Sequence, residues 1–127
     1  IIETLILPDE QDQIERELIR LSDGRQADLI ITTGGTGFAK RDRTPEATLA
    51  VAERIAPGIA EAMRMESMKI TGRAMLSRAV SAIRGNTLIV NLPGSVKAVE
   101  ENLGFVIPQL EHGIRILNGT AKECGRR

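Results

Sequence analysis

The chain has 127 residues, with 17 Lys plus Arg against 17 Asp plus Glu, one histidine, one cysteine, two phenylalanines and neither tryptophan nor tyrosine. A balanced charge draws neither nucleic acid nor anionic lipid, and two aromatics make no base-stacking platform, so a nucleic-acid partner is disfavoured. No apolar run approaches the roughly 18 residues of a membrane span, and no basic-then-apolar start resembles a signal peptide. The length suits one domain that buries roughly two-thirds of its unfolded surface. Cys124 stands in a polar tail with no internal partner, which agrees with a reducing compartment. A soluble cytoplasmic protein is expected.

Ile1 to Leu7 reads as a strand already in progress, stopped by Pro8-Asp9-Glu10. Asp9 is placed to cap the following helix, in which Ile14, Leu18 and Leu21 share a face. Ser22-Asp23-Gly24 ends that helix. Asp28 to Thr33 is an apolar, β-branched strand that runs into Gly34-Gly35-Thr36-Gly37. Thr44-Pro45-Glu46 then opens a helix with a hydroxyl at the cap, a proline in the first turn and a carboxylate near the positive end. That helix is expected to reach about Ile55, where Ala56-Pro57-Gly58 breaks it.

A second amphipathic segment from Ile59 to Lys69 turns Ile59, Met63 and Ile70 inward. The methionines at 63, 65, 68 and 75 read as core filler, and Thr71 to Ser77 reads as a loop. Ala79 to Arg84 and Thr87 to Leu92 form a hairpin about Gly85-Asn86, with a second arm apolar enough to be buried on both faces. Ser95 caps a last helix with Val96, Val99 and Leu103 inward. Gly104 and Pro108 interrupt it before Leu110, Ile114 and Leu117 resume the stripe and Asn118-Gly119 closes it. Ala121 to Arg127 reads as frayed. Alternating strands and helices predict an α/β three-layer sandwich, with a mostly parallel sheet, one antiparallel hairpin and helices on both faces, in a single domain over 1–127.

Chemistry concentrates after the Asp28 to Thr33 strand. A parallel strand delivers its loop to the carboxyl edge of the sheet, where open α/β folds leave a ligand crevice. Gly34, Gly35 and Gly37 let backbone N–H groups approach an anion. Thr32, Thr33 and Thr36 add hydroxyls, and Arg41 is suited to paired hydrogen bonds with phosphate. The plainer alternative is a tight βα connection.

Asp42 repels a phosphate unless a cation intervenes, and magnesium accepts one or two carboxylates together with phosphate oxygens. Asp9 also follows a predicted strand, so the two aspartates are candidates to share that ion; alternatively Asp9 is a helix cap and Asp42 a partner of Arg41 or Arg43. Asn91 and the Pro93-Gly94-Ser95 turn should reach the same edge. Ser67 and Ser77 flank the Thr71 loop as candidate donors to a polar ligand. His112, the only histidine, gives neither a triad nor a zinc cluster.

Gly34-Gly35-Thr36-Gly37-Phe38, followed by Arg41-Asp42-x-Thr44-Pro45-Glu46-Ala47-Thr48, resembles the molybdenum-cofactor biosynthesis family of molybdopterin adenylyltransferases and gephyrin G domains. The resemblance continues through Pro8-Asp9-Glu10, Met75-Leu76-Ser77-Arg78, Ile83-Arg84-Gly85 and Asn91-Leu92-Pro93-Gly94, to about Gly119. It implies transfer of AMP from Mg-ATP to molybdopterin, with Asp9 and Asp42 as the essential acids that hold Mg2+. Gly34 to Gly37 match the family's glycine loop, and Ser67, Ser77 and Asn91 its pterin-side polar groups. It also implies a homotrimer, with a hexamer in some relatives, and other proteins of molybdenum-cofactor biosynthesis as partners. A non-catalytic molybdopterin binder or scaffold of the same family is the alternative. Lys40 and Arg43 stand where many members carry proline and valine. The family's usual first strand and Ser/Asp-containing loop, which help form the nucleotide site, have no counterpart in this sequence.

Overall fold

Residues 29–33, 54–55, 81–84 and 87–92 are the strands β1 (Leu29–Thr33), β2 (Arg54–Ile55), β3 (Ser81–Arg84) and β4 (Thr87–Leu92) of one sheet, ordered β1-β4-β3-β2. The structure, a computed structural model, describes residues 1–119; Cys124 and the expected frayed tail lie outside the described residues. β4 is its centre: it pairs parallel to β1 from Leu29↔Leu88 to Thr33↔Leu92 and antiparallel to β3 across the Gly85 turn. All six β4 residues are buried, as expected of a strand covered on both faces.

The helices are α1 (Gln11–Ile19), α2 (Thr44–Val51), α3 (Pro57–Met68) and α4 (Val96–Leu117). Period-two alternation along β4 divides the core between two layers. Leu88, Val90 and Leu92 pack with Ala60 and Met63 of α3 and with Val106 and Leu110 of α4. Ile89 faces the other way, with Leu18 of α1, Ile30 of β1 and Val51 of α2. Helices therefore cover both faces, as expected. The sheet itself is mixed rather than mostly parallel: β1·β4 is its parallel pair, whereas β2·β3 and β3·β4 are antiparallel.

Several expectations at element ends are corrected. Residues 1–7 form no strand; Ile1, Ile2, Leu5, Ile6 and Leu7 are exposed. Glu3 is instead drawn to Arg20 and Arg25, and Arg25 donates to the Ile2 carbonyl, so ion pairing holds the segment against the end of the first helical stretch. Asp9 does not cap α1, because Glu10 occupies that position without a side-chain bond. Beyond Ile19 the helix widens into a π turn, Arg20–Gly24.

α2 ends at Val51, short of Ile55, since Arg54 and Ile55 pair with Ile83 and Ala82 of β3. Tertiary pairing outweighs the local helical pattern here. Pro57 and Gly58 open α3 instead of serving as a break, in accord with proline's fit to a first turn. Met63 alone of the four methionines is buried; Met65, Met68 and Met75 are exposed, and so is Ile70. Residues Gly72–Leu76 form a 3-10 turn rather than a loop, with the Thr71 hydroxyl accepting from the Arg73 N–H.

Ser95 caps α4 as expected, its hydroxyl accepting from Ala98 N–H at 3.1 Å. Val96 is exposed rather than inward. α4 runs without interruption through Gly104 and Pro108. The N–H that Pro108 lacks would have bonded the Gly104 carbonyl. Both residues are exposed, so the lost bond falls outside the core, while Val106 and Leu110 pin the helix to it.

Candidate active site

β1 and β4 end together, so residues 34–42 and the Pro93-Gly94 turn leave the sheet at one edge. The Gly34 N–H donates to the Leu92 carbonyl at 3.0 Å. Gly35 has φ +69°, and a Cβ there would run into the Thr44 hydroxyl at the start of α2. Thr44 N–H donates back to the Gly35 carbonyl at 3.2 Å. A Cβ at Gly37 would lie 2.9 Å from Asp42 Oδ2. These glycines answer to close packing within the loop as well as to room for a ligand.

Asp42 ties the loop together. Its Oδ2 accepts from Ala39 N–H at 3.0 Å, and its own N–H donates to the Ala39 carbonyl at 3.0 Å. Asp9 is exposed just before α1 and meets the Arg41 Nε at 3.9 Å. Arg43 Nε donates to Gln11 Oε1 at 3.0 Å. The Arg41 and Arg43 side chains thus link segment 41–43 to segment 9–11, at Asp9 and Gln11. Arg41 is engaged in that exposed contact rather than folded over the glycines.

Among the described residues no cluster of three or more His, Cys, Asp or Glu side chains forms. Asp9 is exposed and Asp42 half-buried, with Oδ2 of Asp42 already accepting from Ala39 N–H; magnesium, unlike zinc, needs only one or two carboxylates beside water and phosphate oxygens.

Arg78 is the strongest organiser of the loop, and sequence reasoning gave it no role. Its Nε donates to the Gly37 carbonyl at 2.8 Å, its terminal nitrogens reach the Asp42 carbonyl and the Glu46 carboxylate, and its backbone N–H donates to the Thr36 carbonyl at 2.8 Å. One fork spans both ends of the loop and the first turn of α2. The hydrogen bond from Arg78 holds the Glu46 carboxyl below its ordinary range, against a smaller opposing effect of burial. The available signal was the position of Arg78, directly after Ser77.

The polar residues expected to meet substrate converge only in part. A cavity of about 310 Å3 is lined by Thr36 and Gly37 of the loop, Ser67 of α3, Ser77, Asn91 and Pro93. Thr33, Gly34, Gly35, Arg41 and Gly94 stand outside its lining. A second cavity of about 300 Å3 is lined by Phe38, Lys40, Asp42, Arg43 and Arg78. The glycine loop is therefore a wall shared by an apolar, serine-edged cavity and a charged one.

The Asn91 side chain is fully engaged and buried: its amide donates to Thr32 and Thr48 hydroxyls at 3.0 Å each, and its oxygen accepts from Val80 N–H at 3.1 Å. It fastens β1, β4 and α2 behind the cavity. His112 is half-buried on α4 and lines neither cavity.

Comparison with known proteins agrees with this architecture. Residues 1–112 match the molybdenum-cofactor biosynthesis family, described as a probable molybdopterin binding domain. The molybdopterin adenylyltransferase of Helicobacter pylori strain J99 is 46% identical over 122 residues, covering 96% of this chain and 69% of that protein. Gephyrin of Dictyostelium discoideum is 46% identical over 117 residues, covering 92% of this chain and 16% of that much longer protein. Among solved structures, the molybdopterin biosynthesis enzyme MoaB from Thermus thermophilus superposes with a TM-score of 0.82 at 48% identity, covering 88% of this chain and 70% of that one. The chain belongs to the molybdenum-cofactor biosynthesis family of molybdopterin-binding domains.

Proposed function

We propose that this chain is a molybdopterin adenylyltransferase, taking Mg-ATP and molybdopterin to adenylyl-molybdopterin and pyrophosphate in the cytoplasm. The observation that carries the reading is the meeting of Thr36 and Gly37 with Ser67 and Ser77 around one cavity, beside the loop that bears Asp42. The supporting relatives are adenylyltransferases by name. A terminal phosphate oxygen of molybdopterin attacks the α-phosphorus of ATP; a new P–O bond forms, the α–β anhydride bond breaks, and pyrophosphate leaves with the electron pair.

The residues' part in this is positioning and charge control. Thr36 and Gly37, the loop residues that line the cavity, would offer backbone donors to the phosphate, and Lys40 and Arg43 offset anionic charge on the other side of the loop. Asp9 and Asp42 would hold Mg2+, which when bound neutralises charge on the phosphates. We assign the active form to a homotrimer, with other proteins of the same biosynthesis supplying and consuming the pterin.

Pyrophosphate release from Mg-ATP is the test. Release that depends on molybdopterin, with adenylyl-molybdopterin found by mass, supports the enzyme. Molybdopterin bound without turnover would replace it with a non-catalytic pterin binder of the same family.

A further inference from the structure

Asn102 occupies a place in α4 where the stripe of Val99, Leu103, Val106 and Leu110 calls for an apolar side chain, yet it is buried and polar. A polar group held there needs partners. Its amide nitrogen donates to the Ala98 carbonyl at 2.8 Å. That carbonyl is able only to accept, so the amide cannot be turned the other way, and Oδ1 must face Ser67. The Ser67 hydroxyl donates to this oxygen at 3.1 Å. A hydroxyl has one proton and two lone pairs. With the proton committed to Asn102, Ser67 has only acceptor capacity left for the cavity that both residues line. Glu101, next in the chain, lines the same cavity and adds a carboxylate, also an acceptor.

We infer that Asn102 is a specificity-determining positioning residue: by taking the Ser67 proton it makes this edge of the cavity read N–H donors, and so select the amino-substituted edge of a pterin over the carbonyl edge of a 2,4-dioxopteridine. The inference rests on the pterin-binding reading above and deepens it. Asn102 acts through Ser67 and needs no contact with the ligand. Discrimination of this kind follows from the cost of leaving buried polar atoms facing like atoms, lone pair against lone pair.

The probes are a fluorescent 6-substituted pterin phosphate and its 2,4-dioxo counterpart, titrated into the protein and its variants. The wild-type protein is expected to prefer the pterin by about tenfold, the usual scale of one hydrogen bond. In Asn102→Leu the Ser67 hydroxyl is released to rotate and donate, so the dioxo ligand gains and the ratio falls to within about twofold. Asn102→Asp retains an acceptor for Ser67 and is expected to keep the preference, which separates the orienting role from mere filling of space. Ser67→Ala abolishes the preference, and adding Asn102→Leu to it changes nothing further. An unchanged ratio in Asn102→Leu would overturn the inference while leaving pterin binding intact. Binding of neither pteridine by the wild-type protein would sink the underlying reading, and this inference with it.

Discussion

On the glycine-loop side of the larger cavity, backbone groups are held one by one. Gly34 is bonded to Leu92, Gly35 to Thr44, and Gly37 and Asp42 to Arg78. On the side formed by the end of α3 and the 3-10 turn, Met65, Met68, Ile70, Met75 and Leu76 are exposed. Its backbone is held by local helical and 3-10 bonds, and its side-chain anchors include Ser67 on Asn102, Thr71 on the Arg73 N–H, and Arg64 on the Ala79 and Ser77 carbonyls. The difference fits the roles proposed for the two walls. Displacement at phosphorus requires donors fixed in advance, whereas an apolar wall of flexible side chains adapts to its occupant.

Substitutions separate the two walls. Gly35→Ala combines a strained positive φ with a collision at Thr44; thermal or urea denaturation should show a loss of about 3 kcal/mol. A loss below about 0.5 kcal/mol would mean that the loop is not rigidly set.

Arg78→Met removes the fork from Gly37, Asp42 and Glu46, and is expected to cost about 2 kcal/mol in stability. It should also lower kcat for pyrophosphate release by about a hundredfold through misplaced loop donors. Arg78→Lys keeps the charge but not the fork, so it should restore stability more than rate.

Acid sensitivity isolates one arm of that fork. Because Arg78 lowers the Glu46 pKa below its ordinary 4.5 in the folded protein, the unfolded chain binds the proton more readily. The stabilisation is complete above the ordinary value and is lost as pH falls through the lowered folded value. Tm measured from about pH 6 downward should therefore fall less steeply in Glu46→Gln than in the parent. Parallel curves would contradict the pairing. The smallest effect belongs to the opposite wall: Met65→Gln should change stability by less than about 0.5 kcal/mol.

The sequence was most informative where local chemistry and tertiary packing agree. The apolar run of β4, the Gly85 turn with its φ of +57°, the Ser95 cap and the glycine loop each carry their own signal, and each is found in place. Legibility failed where a distant partner decides. Arg54 and Ile55 leave their helical pattern because β3 offers an open edge, and α4 passes through Pro108 because its buried stripe holds on both sides.

Residues 1–7 have strand composition, but a strand needs a neighbour, and Glu3 finds arginines instead. At the candidate site, the sequence named Asp9, Asp42, Ser67 and Ser77 as separate points, but the strand expected to deliver Asp9 to the sheet edge does not form. The roles of Arg78 and Asn102 depend on bonds to residues 41 and 35 positions away, which no local pattern records.

The proposed chemistry turns on the two aspartates. Pyrophosphate release from Mg-ATP in the presence of molybdopterin should fall by about a thousandfold or more in both Asp9→Ala and Asp42→Ala, while each variant still binds molybdopterin within about threefold of the parent. Release within about tenfold of the parent in either variant would contradict a shared magnesium role for the pair.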